Sequence, residues 1–148
     1  MERFETNFSE LPEGTSGPDW SIENLTRTMF VRYAGASGDF NPLHHDDTFA
    51  EAIGYPSVFA PGMFNAGLLA HYLTDWLGTG SLRSYDVRLK EQAWPGDTLR
   101  IRARVVRRYD DDCDGVHEGR VDVKAQVVNQ HDQVVIDGAA TAAPKNDI

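Results

Sequence analysis

Hydrophobic and polar positions follow two periods along this chain, and the change comes near residue 80. Before it, apolar residues recur every three or four positions, the spacing of a helix face; after it they recur every second position, the spacing of a strand. Met29, Phe30, Tyr33 and Ala34 predict a helix capped by Thr26 and ended by Gly35 and Gly38. From Gly38 to Leu43 a loop is expected, because Pro42 has no N–H to donate and biases Asn41 away from the α region. A short helical turn is expected over Asp47 to Ile53, with Phe49, Ala50 and Ile53 facing inward and Asp46 as its cap. A second loop follows, holding Gly54, Pro56 and Pro61.

Ala66, Leu68, Leu69, Leu73, Trp76 and Leu77 make the stretch from Met63 to Leu77 apolar on most faces, which predicts a central helix surrounded by the fold. Gly78 and Gly80 end it. Strands are predicted over Leu82–Lys90, Leu99–Val106, Arg120–Val128 and Val134–Ala142, clearest where Arg100, Arg102 and Arg104 alternate with Ile101, Ala103 and Val105. Trp94 to Asp97 and Asn129 to Asp132 read as turns, and Asp110 to Gly115 as an acidic loop. Residues 1–24, broken by Pro12, Gly14, Gly17 and Pro18, form a lead-in with at most one short strand. The fold class is therefore α+β: one long buried helix against a curved antiparallel sheet of about five strands.

At 148 residues the chain is the size of one domain. Its net charge of −9 makes nucleic acid a poor partner, since phosphate binding requires a cationic face. The charge is uneven, however: Arg83 to Arg108 carries eight basic residues against three acidic ones, a local face fit to receive a small anion or simply a solvated strand surface. A single cysteine, Cys113, excludes an internal disulfide and suits a reducing compartment, and its acidic surroundings do not favour a thiolate. The acidic start shows no secretory signal, so a cytoplasmic protein is expected. Ala52 to Thr74 lacks any Asp, Glu, Lys or Arg, but Pro56, Pro61, its glycines, Asn65 and His71 interrupt it, so no membrane span is expected.

Chemistry concentrates in Ser37-Gly38-Asp39-Phe40-Asn41-Pro42-Leu43-His44. An acid and an imidazole on one braced loop can share a cavity and hold a water for general acid–base work. From spacing alone, a turn-capping Asp39 and a surface His44 is the plainer reading. His44-His45-Asp46-Asp47 offers metal-ligand types, but consecutive residues do not converge readily on one ion, and no metal is expected. Ser37 lacks the G-x-S-x-G setting of an esterase nucleophile. Gly62 stands where the central helix starts, and there it either lets a ligand oxygen approach the unpaired N–H groups or merely packs.

YAGASGDFNPLHHDDTFA, from Tyr33 to Ala50, closely resembles the signature of the MaoC-like, or hydratase 2, group of (R)-specific enoyl-CoA hydratases. Asp39, Asn41, Pro42, His44 and Ala50 fall on its fixed positions, while Ala36 replaces a larger aliphatic residue or glycine. FAPGMF, Phe59 to Phe64, is similar to the family's approach to its central helix, with Pro61 where many members have histidine; PGDTL, Pro95 to Leu99, is also similar. The resemblance runs from Thr26 to the end and implies a single hot-dog domain over residues 1–148.

It further implies that Asp39 and His44 hold and activate the water added to an enoyl thioester, one of them delivering the proton to the α-carbon, with Asn41 orienting the pair. Gly62 N–H would polarise the thioester carbonyl, and Phe40, Met63, Phe64 and Leu68 are candidates for the acyl pocket, core packing being the plainer role for Leu68. Ala70 stands where relatives often contribute a hydroxyl. Arg88 and Arg100 are assigned to the phosphates of coenzyme A or of a phosphopantetheine arm. No metal or redox cofactor is implied, coenzyme A thioester being the substrate; the expected partners are acyl-CoA or acyl-carrier protein, and a second copy or another hot-dog chain in a homodimer or heteromer. YLTDWLG, at Tyr72 to Gly78, and VRLKEQAWPGDTL, at Val87 to Leu99, resemble members acting in actinobacterial steroid side-chain breakdown, which implies a bulky acyl group. The rivals are a non-catalytic, partner-dependent subunit and an acyl-CoA thioesterase; the latter resemblance requires a carboxylate on the central helix, and Met63 to Thr74 has none.

Overall fold

The structure is a computed structural model describing residues 11–113 and 116–144. In chain order its elements are β1 (Ser21–Ile22), α1 (Arg27–Ser37), a 3-10 turn (Pro42–His44), α2 (Asp47–Ala52), α3 (Gly62–Leu77), β2 (Leu82–Leu89), β3 (Leu99–Cys113), β4 (Val116–Val128) and β5 (Val134–Ala142). The strands form one antiparallel sheet in the order β1-β3-β4-β5-β2. Val105, Val121, Val123, Ala125, Val127, Ile136 and Ala140 are buried on the face that receives α3.

Leu69, Leu73 and Leu77 of α3 are each at most 2% exposed, and each contributes about 1.5–3 kcal/mol by leaving water. Helix and sheet approach closely at Gly138, where an added Cβ would lie 2.8 Å from Leu69 Cδ2. Tyr85 seals this contact by donating its hydroxyl to the Ala66 carbonyl at 2.6 Å, and burial pushes its phenol up to about 12. The central helix is less enclosed than its sequence predicts: Met63, Gly67 and His71 are exposed. The sheet curves around one side of α3 only, so apolar composition on most faces does not become burial on most faces within one chain.

The lead-in lies along the outer edge of β3, with Gly14 N–H donating to Val105 O at 2.8 Å and Gly17 N–H to Ala103 O at 2.9 Å. Gly17 is obligatory there, because a Cβ would sit 2.1 Å from the Tyr72 hydroxyl oxygen. That hydroxyl donates to Pro18 O at 2.9 Å, and burial pushes its phenol up.

Three local expectations are corrected. Gly35 lies inside α1, which ends at Gly38, whose φ of 76° and bond to Ala34 O make the left-handed cap. Phe49 and Ile53 face solvent at 40% and 51% exposure, and only Ala50 of that turn is buried; a six-residue helix has one narrow face, and the first loop occupies it. The acidic run from Asp110 is strand, not loop: Asp110 pairs with Gly119 and Asp111 with Glu118, extending the β3–β4 hairpin. Arg120 supplies the missing compensation, lying 2.6 Å from Asp111 and 2.8 Å from Glu118. The Cys113 side chain, Asp114, Gly115 and residues 1–10 lie outside the described part.

Candidate active site

The loop after α1 is built from successive short side-chain bonds to its own backbone. Ser37 Oγ accepts from Asp39 N–H at 3.2 Å, Asp39 Oδ1 from Asn41 N–H at 3.4 Å, and Asn41 Oδ1 from Leu43 N–H at 3.1 Å. Each is a local Asx- or Ser-type turn that replaces the helix bonds Pro42 forbids. Asn41 thereby caps the 3-10 turn that carries His44.

His44 is 7% exposed, and its Nδ1 lies 2.8 Å from the Phe59 carbonyl oxygen. A carbonyl oxygen only accepts, so Nδ1 carries the proton, and in the neutral ring Nε2 carries the lone pair. That Nε2 faces Asp39 Oδ2 at 3.8 Å, across a gap too long for a direct hydrogen bond. Asp39 is 43% exposed at its side chain, whereas His44 is nearly enclosed. The pair thus has one wet member and one fixed member. Leu43 O also accepts from Phe59 N–H at 3.3 Å, and the Phe59 ring meets the imidazole edge-on at 5.3 Å, so two adjacent bonds and a ring contact tie the loop to the segment before α3.

The other members of the polar run are occupied separately. His45 Nε2 lies 3.2 Å from Phe40 O, and Asp46 Oδ1 caps α2 through Phe49 N–H at 3.2 Å. Asp47 binds the Arg27 guanidinium and accepts from Val58 N–H at 3.0 Å and Ser57 Oγ at 3.2 Å; chiefly the Arg27 bond holds its carboxyl below the usual range. Four consecutive metal-ligand types are therefore spread over four tasks.

Gly62 is the first residue of α3, preceded by Pro61 and without a side-chain cap. Its N–H is one of those a helix start leaves without an intrahelical acceptor. It lines a groove of about 300 Å³ with Phe59, Asn65, Leu89 and Gln92. Phe40 and Met63 stand 66% and 60% exposed, free to meet a ligand. Phe64 is packed against Phe30 and Tyr33, with ring centroids at 6.0 and 5.8 Å. The arginines are not gathered at this groove: Arg88 lines another with Lys124 and Asp137, and Arg100 lies 3.6 Å from Asp132 and lines a third with Trp20. Phe59 meets the imidazole through its carbonyl, a contact that leaves no trace in side-chain identity, and Asn65 stands as a buried polar residue inside an apolar run.

Comparison with known proteins identifies the fold and the family. The peroxisomal hydratase-dehydrogenase-epimerase of Saccharomyces cerevisiae is 34% identical over 101 residues, covering 68% of this chain and 11% of the yeast protein. The chain therefore spans about a tenth of that relative's length. The 3-oxo-4,17-pregnadiene-20-carboxyl-CoA hydratase beta subunit of Mycobacterium tuberculosis is 32% identical over 98 residues, 66% of this chain and 70% of that protein. Among solved structures, the unliganded R-hydratase PhaJ1 from Pseudomonas aeruginosa superposes with a TM-score of 0.79 at 25% identity, covering 93% of this chain and 85% of that one. The sheet wrapped on one long helix is accordingly the hot-dog fold. The family described as the MaoC like domain matches residues 18–129, and the chain belongs to it.

Proposed function

We propose that this chain adds water across the double bond of a trans-2-enoyl thioester to give the (R)-3-hydroxyacyl thioester, and catalyses the reverse dehydration. The observation that carries the reading is the pairing of Asp39 with a His44 whose tautomer Phe59 fixes. With Nδ1–H committed, Nε2 and Oδ2 are two acceptors 3.8 Å apart. A water about 2.8 Å from each donates one proton to either side and turns its lone pairs outward, toward C3 of the substrate.

Addition forms the C3–O bond and moves the π electrons onto the thioester oxygen as an enolate. The Gly62 N–H, at the positive end of α3, stabilises that oxygen. The proton taken from water by one of the pair passes to C2, which re-forms the carbonyl and leaves the enzyme unchanged. Coenzyme A or acyl-carrier protein bears the acyl group, and the exposed Phe40 and Met63 meet the acyl chain.

The catalytic unit is a homodimer or a heteromer with another hot-dog chain. The tuberculosis relative's own designation as a beta subunit favours keeping the heteromer as a second reading. Loss of enoyl-thioester absorbance with crotonyl-, octenoyl- and steroid-enoyl-CoA tests both. Turnover by the chain alone, abolished by Asp39→Asn, supports the hydratase; silence from a folded chain that becomes active only with a co-purified hot-dog partner supports the heteromer.

A further inference from the structure

We propose that the outer face of the sheet carries a binding site for a small phosphate-bearing anion, built around Arg104 of β3 and Lys124 of β4. It shares no residue with the groove at Gly62 and does not depend on the hydration reading. Arg104 and Lys124 stand directly opposite each other in the β3–β4 register, and both are exposed. Like charges so placed on a sheet face repel and destabilise the strand pairing. The next positions across the sheet are Ser16, bridged to Arg104, and Ala139, paired with Lys124, so no carboxylate flanks the pair in its row. Neither cation forms an ion pair among the described residues. Acids are not scarce, with 23 Asp and Glu against 14 Lys and Arg, and other cations are matched: Arg27 with Asp47, Arg83 with Glu118, Arg120 with Asp111. An uncompensated cation pair on an acidic protein is a charge pattern that a bound anion completes.

The surroundings set the anion's class. Both cations line a groove of about 410 Å³, shared with Ser16, Arg102, Gln126 and Asp137, a volume that suits a small molecule. Asp137, the one carboxylate in this lining, accepts from Gln126 Nε2 at 3.2 Å, and Arg102 is bound by Asp132. Three cations thus face one engaged carboxylate, and two of the three have no counter-ion. Directly opposed strand residues stand about 5 Å apart at Cβ, so one anion with oxygens on several sides can bridge the guanidinium and the ammonium. A phosphate ester or diphosphate has that shape and more than one charge, whereas a single carboxylate has neither. Such phosphates come from the nucleotide end of a coenzyme A thioester or from a free phosphate ester.

Calorimetric titration of the full chain with inorganic diphosphate, and thermal melting with and without it, test the site with Arg104→Gln and Lys124→Glu. The wild type is expected to bind diphosphate and to melt at a higher temperature in its presence. Lys124→Glu turns the repelling pair into an attracting one, and Arg104→Gln removes the repulsion; each free variant is expected to melt at or above wild type and to lose roughly tenfold or more in diphosphate affinity. A wild type that binds no diphosphate overturns the inference, as does an affinity unchanged in both variants. So does a rise in melting temperature that sodium chloride of equal ionic strength reproduces, since that is screening, or a free Lys124→Glu that melts below wild type. Coenzyme A in place of diphosphate assigns the source: binding that both variants weaken supports the nucleotide end of a thioester, and binding that they leave unchanged, or none, supports a free phosphate ester. None of these readouts uses turnover, so a wild type inactive on enoyl thioesters overturns the hydration reading and leaves this site standing.

Discussion

His44 donates through Nδ1 to the carbonyl oxygen of Phe59, fifteen positions along the chain, and that one bond points its other nitrogen at Asp39. The geometry of the pair therefore depends on both a loop and the segment that precedes α3. Asp39→Asn preserves the Oδ1 acceptor that closes the turn onto Asn41 while removing the charge that binds the water's proton. Turnover is expected to fall by about 10²–10⁴ with the melting temperature unchanged. Measured activity near wild type would remove Asp39 from the mechanism.

His44→Ala leaves the Phe59 carbonyl without its donor as well as the water without its second acceptor. Both rate and stability are expected to drop, the latter by about 1–3 kcal/mol. Combining it with Asp39→Asn should cost little more rate than either change alone, because the two act as one unit. Independent, multiplying losses would show instead that they hold no common water.

Gly62 separates sterics from hydrogen bonding. An added Cβ would fall 2.5 Å from Leu89 Cδ1, the end of a side chain that is 56% exposed and free to move. Gly62→Ala thus perturbs the groove but keeps the N–H. Gly62→Pro introduces the same crowding and deletes the N–H, at the first helical position where proline is tolerated and after a residue with ψ of 134°. The proline variant is expected to be slower than the alanine variant by about 10²-fold at similar melting temperature; equal rates would rule the donor out.

Phe40 and Phe64, both expected at the acyl pocket, differ in burial: Phe40 is exposed and Phe64 packs on Phe30 and Tyr33. Phe40→Ala, at an exposed site, is expected to leave stability within about 0.5 kcal/mol and to raise KM for long acyl chains. Phe64→Ala removes a ring packed on Phe30 and Tyr33 and should cost a few kcal/mol, seen in urea unfolding. A Phe40→Ala variant with unaltered KM across chain lengths would take that residue off the substrate's path.

Asp47 links α1 to the segment before α3 through Arg27, Ser57 and Val58. Its carboxyl is held below the ordinary range in the folded chain, so its contribution is present above the unfolded-state value and is lost as pH falls through the folded-state value. Asp47→Asn is expected to lower the melting temperature at neutral pH, and the gap from wild type should close on acidification. A gap that persists at low pH would mean that shape, not charge, matters at this position.

What was legible in the sequence is what local rules decide. Thr26, Gly38 and Asp46 cap the helices they flank, and Asp39, Asn41 and His44 stand on a loop whose bonds span two or three residues. The rest depends on partners far along the chain. The acidic run from Asp110 joins a strand paired with β4, where Arg120 comes to face Asp111, and Phe49 faces water because tertiary packing leaves α2 one narrow inner face. Arg88 and Arg100 share a basic stretch but separate on folding, since they belong to strands at different positions in the sheet.

Phe59 joins the groove at the start of α3 to the imidazole of His44. Its ring packs between His44, Tyr55 and Trp94 and borders the groove that holds Gly62, while its N–H and C=O grip Leu43 and His44. A change to the Phe59 ring that widens the groove also removes the edge-on contact that braces the imidazole. Under the proposed function, breadth of substrate is more safely sought at Leu89 or Met63, whose side chains are 56% and 60% exposed.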